Sequence, residues 1–125
     1  QTENKIFDMI NAMAEKKQKK AMELYYDLLA LKEPPMRILY LITRQFNLLM
    51  QVKELSEEGY SAKTISERLK MAGFIVRNCL RQAEYFSLKT LKEALQDCVR
   101  MEEAVKTGRM NDVMSVELLL VKYSS

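Results

Sequence analysis

The stretch from Glu33 to Glu54 constrains the fold most, because it predicts one helix of about six turns that is apolar around most of its circumference. Its polar side chains recur at steps of three and four and so share one narrow face: Arg37, Tyr40, Arg44, Asn47, Gln51 and Glu54. A helix with such a wide apolar surface must be surrounded by protein. Pro34 and Pro35 suit its beginning, since proline is tolerated in a first helical turn. The sequence therefore predicts a central helix at about residues 35–55.

The rest of the chain consists of shorter segments with helical apolar spacing, separated by polar corners. Candidate N-terminal caps of these helices are Asn4, Ser61 and Ser87, and the last helix is expected to begin at Asn111. No convincing strand is present, and three glycines and two prolines leave little room for a turn-rich β fold. The predicted fold class is all-α: a compact bundle of six or seven helices in one domain over residues 1–125, with Leu41 and Leu48 in its core.

The sequence lacks the residues that most catalytic and cofactor sites need. There is no histidine, which removes histidine general bases, Ser-His-Asp and Cys-His nucleophile pairs and nearly all usual zinc and haem sites. The three glycines stand alone, without the pattern of a phosphate-binding loop. Cys79 and Cys98 lie far apart in apolar repeats, so we interpret them as buried free thiols of a reducing compartment. We expect no catalytic residue, no cofactor and no metal ion.

Charge and hydropathy leave the class of partner open. The net charge of +3 is mild, so it neither requires nor excludes nucleic acid. No signal peptide is recognisable, and no run of about 18 apolar residues could span a membrane, so we expect no membrane partner. The lysines at 16, 17, 19 and 20 could contact phosphates, but Glu15 and Glu23 dilute them, which favours a solvated helix corner.

The segment from Ser61 to Tyr85 has the proportions of a helix-turn-helix unit, with a short helix, a glycine corner and a second helix. In a DNA-binding protein, the second helix would present to base edges the side chains of Arg77, Asn78, Arg81 and Gln82. A structural helical corner has similar patterning and is a common packing unit. DNA binding through this segment is therefore the alternative functional hypothesis.

Three stretches carry a family resemblance. They run from Pro35 to Lys53 with the text RQFNLL, from Phe74 to Ser87, and from Val105 to Leu120 with the text KTGR. Together with the opening Ile6–Ile10, they resemble in order and spacing the C-terminal domain of the bacterial DNA polymerase III delta subunit, a clamp-loader component. One departure is the text LKMAGF at 69–74, where the family often has glycine and then proline. It leaves the geometry of that corner open.

The resemblance implies a collar domain that joins delta to the ATPase subunits and delta-prime, so that the whole complex can load the sliding clamp on DNA. It also implies an AAA+-like N-terminal part outside this chain, which begins without methionine. Delta-type subunits do not hydrolyse ATP, so we expect neither this fragment nor its parent to be an ATPase. The sliding clamp and DNA would be reached only through the full complex, in the bacterial cytoplasm.

A domain that works by association needs an exposed apolar patch with a polar rim. We expect this patch on the shorter helices and the last helix, because the central helix is used for the core. Aromatic and arginine side chains often anchor interfaces. The predicted interface residues are Tyr25, Tyr26, Tyr85, Phe86, Arg109 and Tyr123.

Overall fold

Seven α-helices make up most of residues 2–125, the part of the chain that the computed structural model describes. They are α1 (Thr2–Ala14), α2 (Gln18–Ala30), α3 (Pro35–Glu57), α4 (Ala62–Leu69), α5 (Gly73–Ala83), α6 (Leu88–Lys106) and α7 (Asp112–Tyr123). No strand occurs within this part of the chain. The prediction of an all-α bundle is therefore confirmed.

The predicted central helix is α3, which packs against α1, α4, α5, α6 and α7. Its buried side chains are Ile38, Leu39, Leu41, Ile42, Phe46, Leu49 and Val52. All six residues of the predicted polar stripe are exposed, as the spacing required. The prediction for Leu48 is wrong: it is only partly buried, because it lies next to the polar stripe, one turn from Arg44.

Local sequence signals fix several helix ends. The side chains of Ser61, Ser87 and Asn111 each accept a hydrogen bond from the backbone N–H three residues on, at 3.2, 3.0 and 3.1 Å. The cap predicted at Asn4 is wrong, since α1 already begins at Thr2. This earlier beginning is held by contacts to α3 and the residues before it, from Glu3 to Arg44 and from Thr2 to Glu33.

The corner between α4 and α5 differs from the glycine turn that the sequence indicated. Lys70, not Gly73, adopts the left-handed conformation, with φ of +55° and ψ of +47°. Gly73 is the first residue of α5. The left-handed backbone ends α4 one residue after Leu69, so α5 leaves in a new direction.

Five of the remaining helices surround α3, and α2 packs outside them, on α1 and α7. α1 and α2 pack side by side, and α7 lies against α6, α3, α2 and α1. Phe46 of α3 contacts Phe86 edge-to-face, with ring centroids 5.9 Å apart, and also lies against Tyr123 of α7. Cys79 and Cys98 are buried free thiols, as predicted, and burial raises the pKa of both. This packing leaves one long face of α7 directed outward.

Candidate partner-binding surface

The last helix, α7, is apolar on nearly all sides, yet the fold covers only one of its faces. Its inner face buries Val116, Leu119, Leu120 and Tyr123. On the outer face, Met114, Leu118 and Val121 are 49%, 42% and 42% exposed. Steps of four and three residues place these three side chains in one line along the helix. We call Met114, Leu118 and Val121 the α7 stripe.

A polar edge borders the α7 stripe on the side of α2. The Tyr26 hydroxyl donates a hydrogen bond of 2.7 Å to the Glu117 carboxylate. This bond, followed by the effects of desolvation and of the Glu117 charge, raises the pKa of Tyr26. Tyr26 is 47% exposed, so its ring extends the apolar surface from α7 onto α2.

A second polar edge borders the α7 stripe on the side of α6. Lys122 bridges Asp97 at 2.7 Å and Glu93 at 3.3 Å. Asp97 also accepts hydrogen bonds from Arg100 at 2.9 Å and from the Tyr123 hydroxyl at 2.6 Å. Burial alone would raise the pKa of Asp97, but the hydrogen bonds from Lys122 and Tyr123 and the nearby positive charge hold it below its ordinary value. This edge is therefore cross-linked and its charges are balanced.

An apolar centre between two polar edges is the usual composition of a protein–protein interface. Large exposed apolar side chains that lie singly on a surface need no explanation, whereas three in line along one helix form a contiguous patch. The arrangement suits association with another protein surface.

Three of the six predicted interface residues are buried, so the prediction is wrong for their side chains: Tyr25, Phe86 and Tyr123 are 0%, 6% and 6% exposed. The Tyr25 hydroxyl donates to the Val113 carbonyl oxygen at 2.8 Å, and burial raises its pKa. Phe86 and Tyr123 pack around Phe46. These aromatic side chains join helices to one another and present no surface to a partner.

The other three predicted interface residues are exposed but are not brought together by the fold. Tyr26 borders the α7 stripe, as described above. Tyr85 follows α5 and donates a hydrogen bond of 2.8 Å to Glu15 at the end of α1. Arg109 lies in the turn before α7 and donates to the Thr107 hydroxyl at 2.9 Å. Whether Tyr85 and Arg109 contact a partner stays a prediction.

The α7 stripe itself was missed among the predicted interface residues. Its signal is present in the sequence as the spacing of Met114, Leu118 and Val121. However, the opposite face of α7 is at least as apolar, and periodicity alone does not show which of the two faces packs against the core. Only the packing of α7 against α2, α3 and α6 decides it.

The predicted DNA-contacting residues of α5 are only partly available. Arg77 and Arg81 are exposed, and Asn78 is half-buried and accepts a hydrogen bond from Arg81. The prediction for Gln82 is wrong, because its side chain is 1% exposed. It donates to the Phe7 carbonyl oxygen at 3.1 Å and accepts from Gln45 at 2.9 Å, which links α5 to α1 and α3. A buried amide held in this way does not reach a base edge.

The lysine corner between α1 and α2 is partly engaged within the fold. Lys16 donates to the Tyr123 carbonyl oxygen at 3.3 Å, and Lys17 pairs with Glu15 at 2.9 Å. Among residues 2–125, no group of three or more histidine, cysteine, aspartate or glutamate side chains could hold a metal ion. None of the helices described above has the length and apolar character needed to cross a membrane.

Comparison with known proteins decides the family. The family model described as DNA polymerase III delta subunit, C-terminal domain, matches residues 3–123. This chain belongs to that family. Among solved structures, this chain is similar to the Bacillus subtilis DNA clamp loader delta protein, with a TM-score of 0.94 and 33% sequence identity. The match covers 99% of this chain and 37% of that protein. The resemblance predicted from the sequence is therefore confirmed.

A curated relative gives the same family. The DNA polymerase III subunit delta of Bacillus subtilis strain 168 is 34% identical to this chain over 120 residues, which are 96% of this chain and 35% of the relative. The delta C-terminal domain described here thus spans about a third of the length of the relatives that it matches.

Proposed function

We propose that residues 1–125 are one assembly domain, the collar domain of a clamp-loader delta subunit, and that the α7 stripe contacts another subunit of the loader. Membership in the delta family supports a role within a clamp loader. The geometry supports association as the role of this domain. Its partners would be the ATPase subunits and delta-prime, through their own collar domains.

One observation carries the proposal. A helix that is apolar all round is normally covered all round, because exposed apolar area is unfavourable in water. α7 is covered on one face only, while Met114, Leu118 and Val121 remain accessible. A partner that covers this face would complete the burial that the composition of α7 indicates.

In this proposal the domain acts by joining subunits and has no catalytic step of its own. ATP hydrolysis would belong to partner subunits, and the sliding clamp and DNA would be reached only through the assembled loader. In this proposal the domain works in the bacterial cytoplasm, where the chromosome is replicated.

Light scattering coupled to size exclusion tests the proposal. The 125-residue chain is mixed with the purified remaining clamp-loader subunits of the same organism, and we expect a complex of defined mass. The variant Met114→Ser/Leu118→Ser should weaken this complex, since it removes two apolar side chains from the contact.

A matched control is Val99→Ser, which also removes an exposed apolar side chain, here 60% accessible. Val99 is two residues from Asp97, and residues two apart on a helix point in nearly opposite directions, so Val99 faces away from α7. A wild-type chain that elutes alone, or a complex that Val99→Ser weakens as much as the stripe variant does, would contradict the proposal.

A further inference from the structure

The shape of the α7 stripe indicates what kind of element covers it. Met114 and Val121 are seven residues apart, which corresponds to about 10 Å along the helix axis. α2 and α6 flank α7 on its two sides, so the exposed apolar strip is one helix wide. An amphipathic helix laid into the strip, with anchors at positions i, i+4 and i+7, matches these dimensions.

The two edges of the strip differ in charge. On the α6 edge, Lys122 and Arg100 are each paired with a carboxylate, so their positive charges are balanced within the fold. On the α2 edge, among the residues that the structure describes, Glu117 accepts a hydrogen bond only from the neutral Tyr26 hydroxyl. Within residues 2–125, no lysine or arginine nitrogen lies within 4.0 Å of the Glu117 carboxylate.

A helix that covers the α7 stripe would also contact Glu117. It lies one residue from Leu118 and one turn from Val121, and it is already half-buried. A helix that covers the α7 stripe removes water from the Glu117 carboxylate, and a desolvated carboxylate without a positive partner is strongly unfavourable. The Tyr26 hydrogen bond fixes the carboxylate at the edge, where a side chain of the covering helix can reach it.

We propose that the covering helix carries a lysine or arginine that pairs with Glu117, and that this basic edge lies toward α2. The inference rests on the proposed function and adds the chemistry and the direction of the partner. On the α6 edge the charges are already paired within the fold, so no charged residue of the partner is needed there. The charge difference between the edges thus determines on which side the basic residue of the partner lies.

The experiment measures the dissociation constant between the 125-residue chain and the purified remaining clamp-loader subunits by isothermal titration calorimetry. Glu117→Gln keeps the hydrogen-bond acceptor for Tyr26 but removes the charge, and we expect it to raise Kd by about tenfold or more. Glu117→Lys should raise it further, because two positive charges then face each other. The control is Glu67→Gln on α4, an exposed carboxylate on a helix that packs mainly on α3 and α5.

Salt dependence gives a second measurement. Between about 0.05 and 0.5 M NaCl, Kd of the wild-type chain should rise, and Glu117→Gln should show a smaller rise, since its contact has lost one ion pair. A Kd for Glu117→Gln equal to that of Glu67→Gln, together with wild-type binding, would overturn the inference but leave the proposed function standing. A wild-type chain that does not bind at all would instead contradict the proposed function.

Discussion

The buried carboxylate of Asp97 allows a stability prediction that can be worked from the structure. Asp97→Ala should lower the free energy of unfolding by about 2–4 kcal/mol, because it removes charge-assisted hydrogen bonds from a side chain that is 12% exposed. The Tyr123 hydroxyl, buried with its ring, would lose its acceptor, at a cost of about 1–3 kcal/mol. Lys122 is 50% exposed and adds at most about 1 kcal/mol, since water screens its charge.

Urea unfolding followed by circular dichroism measures this change. Tyr123→Phe is the matched variant, since it removes the other partner of the same hydrogen bond while it keeps the ring against Phe46. We expect it to cost less than Asp97→Ala, because Asp97 then retains Lys122 and Arg100. The double variant should show a coupling energy of about 1–2 kcal/mol between the two residues. A loss below about 0.5 kcal/mol for Asp97→Ala, which is typical of surface positions, would refute the reasoning.

The same residue predicts a dependence of stability on pH. The pKa of Asp97 is lower in the folded protein than in the unfolded chain, so the unfolded state binds the proton more readily. The contribution of Asp97 is therefore complete above the unfolded value of about 4 and is lost as the pH falls through the folded pKa. In Asp97→Asn, the free energy of unfolding should therefore fall less steeply than in the wild type as the pH drops below about 4. The same pH dependence in both proteins would contradict a lowered pKa of Asp97.

Three further predictions concern the core, a helix cap and DNA. Leu41→Ala should cost about 2–5 kcal/mol in urea unfolding, and Leu48→Ala clearly less, because only Leu41 is fully enclosed. Equal losses would show that Leu48 is also in the core. Ser87→Ala should cost about 1 kcal/mol in the same assay, through loss of the cap of α6, and Ser87→Gly should cost less. Fluorescence anisotropy with duplex DNA should give the same result for the wild-type chain and for Arg77→Ala/Arg81→Ala, because these two arginines are not expected to contact DNA. A salt-dependent affinity that is lost in the double variant would instead support the DNA-binding hypothesis.

The central helix was predictable because its signal is internal to one segment. The polar stripe of α3 follows the helical period, and all of its members are exposed. The caps at Ser61 and Ser87 were predictable for the same reason, since a cap involves residues only three positions apart. Such features need no knowledge of how the helices pack.

The surface of the domain was less predictable because it depends on contacts between distant segments. Tyr25 and Tyr26 are neighbours, but consecutive helical residues point about 100° apart, so one enters the core and the other borders the α7 stripe. Gln82 is polar yet buried, because Gln45 and the Phe7 carbonyl, 37 and 75 residues away, satisfy its amide. No local pattern distinguishes these outcomes.

α2 lies at the periphery of the bundle, so binding of a partner should change how readily this helix opens. α2 packs mainly on α1 and α7, whereas α3 is enclosed by five helices. A peripheral helix of this kind opens more readily than the core, and its backbone amide protons exchange earlier with solvent deuterium. Because Tyr26 is on α2 and Glu117 is on α7, a subunit seated across both would hold α2 in place. Assembly of the loader would then appear as slower amide exchange along the whole of α2, including turns that the partner never touches.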